Sequence, residues 1–221
     1  MSWQTVKRLL KKLGYSYRRA RRNCAKVPRP TAVAAAQKAL QRLRQLAREG
    51  VCDVVYGDES GFSLQPLLPY LWQQKGNTLG FASQCHRQRL NVLGFWKYAG
   101  QEAAKLMWHS MTGSPKAADF IAAVEKKLLP RLSRRTILVL DNASLHRSVQ
   151  VQQKRAAWRQ KGLRLLFLPP YCPHLNVIEV LWRQVKYRWL DPAAYTDFDS
   201  LSRSVRHILK LCPHRYRITF E

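Results

Sequence analysis

Residues 136–142 read TILVLDN, in which Ile137 to Leu140 are apolar without interruption and Asp141 closes the run. A strand with one wet face alternates apolar and polar residues, so an unbroken run predicts a strand covered on both faces. That requirement constrains the rest of the chain. VCDVVYGDESGF (51–62) reads as a strand running into a glycine-containing turn. FASQCHRQRLNVLGFWKY (81–98) and AAKLMWHSM (103–111) suggest two more strands, joined by the polar KYAGQEAAK. Ser114-Pro115 offers an N-cap and first-turn proline for a helix ending near Pro130. After TILVLDN come a basic helix over about 147–161, the strand LRLLFL, the loop PPYCPHLN and a helix to about Leu190. A last helix spans roughly 198–211, with Asp197 or Asp199 as its cap. Three strands followed by alternating helices and strands predict an α/β fold, a mixed sheet flanked by helices.

The N-terminus differs. TVKRLLKKLGY sets Val6, Leu9, Leu10 and Leu13 on one helical stripe, stopped by Gly14. The arginine-rich arm SYRRARRNCAK follows, and VPRP breaks regular structure. The expected organisation is a partial helix-turn-helix and basic arm over 1–30, a linker helix over 31–50, and an α/β domain over 51–221. Lys7, Arg8, Lys11, Lys12, Arg18, Arg19, Arg21 and Arg22 are the expected phosphate contacts of the first part, with Arg183 and Lys186 on a later helix. Phosphate contacts of this kind set orientation more than sequence.

Charge supports a polyanionic partner. The chain has 39 Lys and Arg against 13 Asp and Glu, a formal net charge of +26 and a pI near 10.6. Such basicity favours nucleic acid through counterion release. No apolar run approaches the roughly 18 residues of a membrane span, and no export signal is expected. The five cysteines, Cys24, Cys52, Cys85, Cys172 and Cys212, never form a CxxC pair. They argue against a disulfide framework or structural zinc site and fit a reducing cytoplasm.

With so few acids, their placement is informative. Most fall in expected loops or exposed helices, but Asp58 and Glu59 are expected to end the first strand, Asp141 ends a buried strand, and Glu179 opens the helix after another. Side chains at strand ends of α/β sheets converge on ligands. Carboxylates gathered there repel one another without a cation, so the cluster predicts Mg²⁺ or Mn²⁺ held by oxygen ligands. Two such ions can activate a water or hydroxyl and stabilise the leaving oxygen of a phosphodiester. Each acid also has a plainer reading. Glu179 and Arg183 form an i,i+4 pair, Asp141-Asn142 would cap a helix, and Asp58 to Gly61 would be a polar turn. His146 reads as a helix-start or supporting residue. Trp182 and Trp189 share a stripe with Ile178 and Val185 and read as core rather than base-stacking residues.

GDESGFSLQP, LVLDNASLHRS and LPPYCPHLNVIEVLWRQVKYRWL resemble the three catalytic blocks of mariner-related bacterial transposases, the insertion-sequence 630 group, in that family's order. The resemblance implies a ribonuclease-H-like fold with a DDE triad of Asp58, Asp141 and Glu179 holding two Mg²⁺ or Mn²⁺ ions. It implies Glu59, Asn142, His146 and Asn176 as supporting residues. Double-stranded DNA, both transposon ends and TA-containing target, is the implied partner, bound by a homodimer in a bacterial cytoplasm, at the nucleoid. Cys172, His174 and Val177 stand where the family usually has Ser, Glu and Pro. The chain begins at what resembles the last recognition helix of a longer DNA-binding region, which implies an N-terminally truncated or split product. A non-catalytic DNA-binding remnant that inhibits full-length copies is the alternative reading, and a ribonuclease H or resolvase on the same fold a third.

Overall fold

A computed structural model describes residues 2–14, 29–65, 88–99 and 104–216. Among them, β1 (Asp53–Ser63), β2 (Arg89–Lys97), β3 (Lys105–Thr112), β4 (Thr136–Leu140) and β5 (Leu163–Phe167) form one sheet in the order β3-β2-β1-β4-β5. β1, β2 and β3 pair antiparallel, whereas β4 runs parallel to both β1 and β5. The mixed sheet with helices on both faces is the expected architecture.

Alternation along the strands divides the core in two. Val54, Tyr56 and Phe62 of β1 face a layer built from α2 (Pro30–Arg48), α5 (Ile178–Gln184) and α6 (Phe198–Leu211). Val55 faces the opposite layer, built from α3 (Ala117–Ala123) and α4 (Val149–Gln160). β4 contributes Val139 to the first core and Leu138 and Leu140 to the second, as a strand covered on both faces must. α1 (Trp3–Lys12) stops before Gly14, which adopts φ +80°, and buries none of its residues.

Capping chemistry decides several helix starts. Asp197 caps α6, its Oδ1 accepting from the Ser200 amide at 2.7 Å. α3 begins at Ala117 rather than at Pro115, because the Lys116 amide donates to Asp119 Oδ2 at 2.8 Å. α4 starts at Val149, capped by Ser148, so His146 lies in the turn before the helix. Both α3 and α5 continue into a wider π-helical turn, Val124–Leu128 and Val185–Trp189.

The first strand corrects one expectation. Asp58 and Glu59 do not end it: β1 runs to Ser63, and the GDESG stretch expected to turn stays extended. The reason is pairing. β2 lies alongside β1 from Val55 to Ser63, placing Asp58 opposite Gly94 and Glu59 opposite Leu93. The parallel partner β4 stops at Tyr56, so these acids lie beyond its last pair although they sit inside a strand. Of the expected second strand, 81–87 lies outside the described residues.

Leu138 is 0% exposed at the centre of β4. Leu138→Ala should destabilise the protein by about 3 kcal/mol through lost burial and a residual cavity, read by urea denaturation. Val149→Ala, at a position 69% exposed, should stay within about 0.5 kcal/mol of the parent.

Candidate active site

Beyond Tyr56 the β1 backbone is free of β4, and alternation sends adjacent acids to opposite faces of the sheet. Asp58 faces the α5 layer, where its Oδ2 accepts a 3.1 Å hydrogen bond from the Trp182 indole. Glu59 faces the α3–α4 layer, where its Oε1 lies 2.8 Å from His146 Nε2. That approach has the distance of an ion pair, but the two atoms are poorly aligned for a hydrogen bond.

His146 ties two acids together. Its Nδ1 lies 2.8 Å from Asp141 Oδ1, which also accepts from the Ala143 amide at 3.1 Å. The imidazole is fully buried and lies against Phe120, ring centroids 4.6 Å apart. Burial lowers the His146 pKa, but the hydrogen bond to Asp141 and the close negative charges of Glu59 and Asp141 outweigh it and push it up to about 9. Asp141 shows the matching balance: burial raises its pKa, while His146 and the Ala143 amide bring it below the usual carboxylate range. His146 is thus an imidazolium at neutral pH, bridging Glu59 and Asp141 as a buried cation.

Asp58 has no such partner. It is 9% exposed, and burial followed by the charges of Glu179, Glu59 and Asp141 pushes its pKa up to about 8. Glu179, in the first turn of α5, is also raised, chiefly by burial and by Asp141, against the lowering effect of Lys186 and Arg183. Asn176 holds the loop before α5 against β1, its Nδ2 donating to the Gly57 carbonyl at 3.0 Å. A cleft of about 460 Å³ opens beside these residues, with Asp141, Asn142, Arg147, Tyr171, Asn176 and Glu179 in its lining. Arg147 donates to Asn142 Oδ1 at 3.1 Å.

The structure therefore brings Asp58, Glu59, Asp141, Asn142, His146, Asn176 and Glu179 into one neighbourhood. Among the described residues no three Asp, Glu, His or Cys side chains already form a ready coordination set. The carboxylates of Asp58, Glu179 and Asp141 couple electrostatically. The donor set fits a hard divalent cation: Asp58, Asp141 and Glu179 offer oxygens only, and burial, followed by the negative charge around it, disfavours the ionised form of Asp58 when no cation is bound.

The expected DNA contacts divide. Lys7, Arg8, Lys11 and Lys12 are exposed on α1, and Arg183 is exposed on α5. Lys186 is half-buried, its Nζ 5.4 Å from the Phe62 ring centre and its charge coupled to Glu179 and Asp58. Arg18, Arg19, Arg21 and Arg22 lie outside the described residues. His174 is exposed, whereas Cys172 and Val177 are buried. Sequence reasoning assigned Trp182 to the core, where it lies. It missed the donor role, because nothing in the local pattern connects an indole to an acid 124 positions earlier. Tyr171 and Arg147 in the cleft lining were also missed.

Beside one cleft the fold gathers a buried acid, on a strand that outruns its parallel neighbour, and two further acids after β4 and at the start of α5. The sequence model of the DDE superfamily endonucleases matches residues 53–202, and the chain belongs to that family. Its ribonuclease-H-like fold is shared with the mariner Mos1 paired end complex with Mg, at 15% identity and a TM-score of 0.53, covering 99% of this chain and 72% of that one. A pre-cleavage Mos1 transpososome matches at 14% identity and a TM-score of 0.53, covering 94% and 63%. At such identity the likeness is one of fold. An uncharacterized protein, y4pE/y4sA of Sinorhizobium fredii, is 29% identical over 65 residues, 29% of this chain and 44% of that protein. No helix among the described residues is long and apolar enough to cross a membrane.

The two raised pKa values carry the same sign. Asp58 ionises near 4 in the unfolded chain and at about 8 in the fold, so its favourable contribution is lost as pH rises through that interval. Protonated His146 stabilises fully below 6.5, and that contribution fades as pH rises to about 9. The metal-free protein should lose thermal stability steadily from pH 6 to 9. Asp58→Asn should flatten part of this decline and raise the unfolding midpoint at pH 8 by about 3 °C, a change of roughly 1 kcal/mol. Scanning calorimetry at several pH values in chelator reads both effects.

Proposed function

We propose that this chain is a DDE transposase, cutting DNA at the ends of a mobile element and joining the freed 3′ ends to target DNA. The observation that carries the reading is the electrostatic coupling of Asp58 with Glu179 and Asp141 beside one cleft, in a chain of net charge +26. Asp58, Asp141 and Glu179 would hold two Mg²⁺ or Mn²⁺ ions, which when bound supply Lewis-acid activation of a water or 3′-hydroxyl and stabilise the leaving oxygen.

The chain's own side chains supply the rest. His146 and the Ala143 amide fix Asp141 Oδ1, so the rotamer of this acid is set before a substrate arrives. Trp182 restrains Asp58, and Asn176 keeps the α5 entry against β1 beside it. Lys7, Arg8, Lys11, Lys12 and Arg183 would neutralise phosphates, orienting the duplex without reading its sequence. In this reading 1–30 belongs to a DNA-binding part, 31–50 is a linker helix and 51–221 is the catalytic domain. The family and the mariner Mos1 paired end complex among the fold's relatives support duplex ends as substrate, and in this reading the working form is a homodimer on DNA.

Divalent-metal-dependent nicking of duplex DNA carrying the element's ends tests the reading. Asp141→Ala should reduce nicking to background while the variant remains folded by circular dichroism. Salt-sensitive DNA binding by the parent with no cleavage in Mg²⁺ or Mn²⁺, even on pre-nicked ends, would instead favour the non-catalytic remnant.

A further inference from the structure

We propose that Trp182 is a positioning residue for Asp58, and that the absence of a side chain at Gly94 is what lets it reach. The inference rests on the metal-binding reading above and deepens it. Asp58 and Gly94 are cross-strand partners on β1 and β2. α5 crosses this pair and lays the six-membered ring of Trp182 directly over Gly94. A methyl group built there would come within 2.6 Å of Trp182 Cζ2, 2.7 Å of Cη2 and 3.0 Å of Ile178 Cδ1. Phe62, four residues beyond Asp58, meets the same indole edge-on, with ring centroids 6.4 Å apart at 75°. Gly94 below and Phe62 beside it define where the ring lies, and the 3.1 Å hydrogen bond to Asp58 Oδ2 follows from that placement.

A merely structural tryptophan accounts for less of this. A buried indole needs an acceptor for its N–H, and the one it takes here is the buried carboxyl of Asp58, one of the three acids proposed to hold metal. Anchoring Oδ2 limits rotation of the carboxyl group and so fixes the direction in which Oδ1 is presented. Glu179 lies three residues before Trp182, on the same side of α5. One helix turn therefore carries a proposed metal ligand and the donor that orients another. The seating of α5 on Gly94 sets the two acids relative to each other, although they are remote in sequence.

Mn²⁺ binding by the full chain, followed through the free-ion paramagnetic resonance signal at fixed pH, separates this proposal from the reading beneath it. The parent should bind Mn²⁺ and Asp58→Asn should lose it. Trp182→Phe keeps an aromatic ring but removes the donor, and should raise the Mn²⁺ Kd about tenfold, the usual consequence of removing a ligand's hydrogen-bond partner. Gly94→Ala keeps the donor but displaces the ring, and should do the same. Trp189→Phe removes a second indole from the same helical stripe and should leave the Kd unchanged. In DNA nicking, the Mn²⁺ concentration for half-maximal rate should rise in the first two variants more than the rate at saturating metal falls.

Parent-like Mn²⁺ affinity in folded Trp182→Phe or in Gly94→Ala overturns the proposal while leaving the metal site standing. So does an equal loss in Trp189→Phe, which would show general loosening of the helix. If Trp182→Phe fails to fold, Gly94→Ala decides alone. A parent that binds no Mn²⁺ overturns the metal reading and this inference together.

Discussion

The parallel ladder between β1 and β4 ends at Tyr56, while the antiparallel ladder between β1 and β2 continues to Ser63. This mismatch in strand length creates the site. It leaves Asp58 and Glu59 on a rigid, paired backbone that is nonetheless open on the β4 side, where Asp141 leaves its own strand. A loop would place two adjacent acids loosely, whereas a strand sends them to opposite faces with directions set by the pleat. The helical layer on each face then treats its acid differently.

On the α3–α4 face, negative charge is compensated internally. His146 sits between Glu59 and Asp141 as a buried imidazolium, so two acids share one cation supplied by the chain. On the α5 face, Asp58 receives a neutral indole donor and stays near protonation at physiological pH. The site is thus half balanced: Glu59 and Asp141 hold a cation in direct contact, whereas among the described residues Asp58 and Glu179 have only the longer-range charge of Lys186 and, for Glu179, of Arg183. A divalent cation has the charge and the preference for oxygen that the second half lacks. The surrounding excess of Lys and Arg supplies attraction for a phosphate backbone over a longer range than any contact in the site.

Much of this was legible in the chain itself. The continuous apolar stretch of TILVLDN announced a strand covered twice, and the alternation of elements around it implied the mixed sheet. Scarcity of acids made Asp58, Asp141 and Glu179 conspicuous. Local chemistry was less decisive at boundaries: Asp197 and Asp199 were equal as caps until backbone geometry favoured Asp197. GDESG was read as a turn because glycine and acids favour turns locally. Pairing with β2 overrode that preference, as tertiary context does for weak propensities.

By itself the sequence determined which residues are apolar, which few are acidic and in what order strands and helices follow, since periodicity and composition are properties of neighbours. Only the tertiary structure decided that Trp182 would donate to Asp58, that Gly94 would make room for it, and that His146 would bridge Glu59 and Asp141. Those relations join positions far apart along the chain. They come from the register of one packed layer against another, which no local pattern encodes.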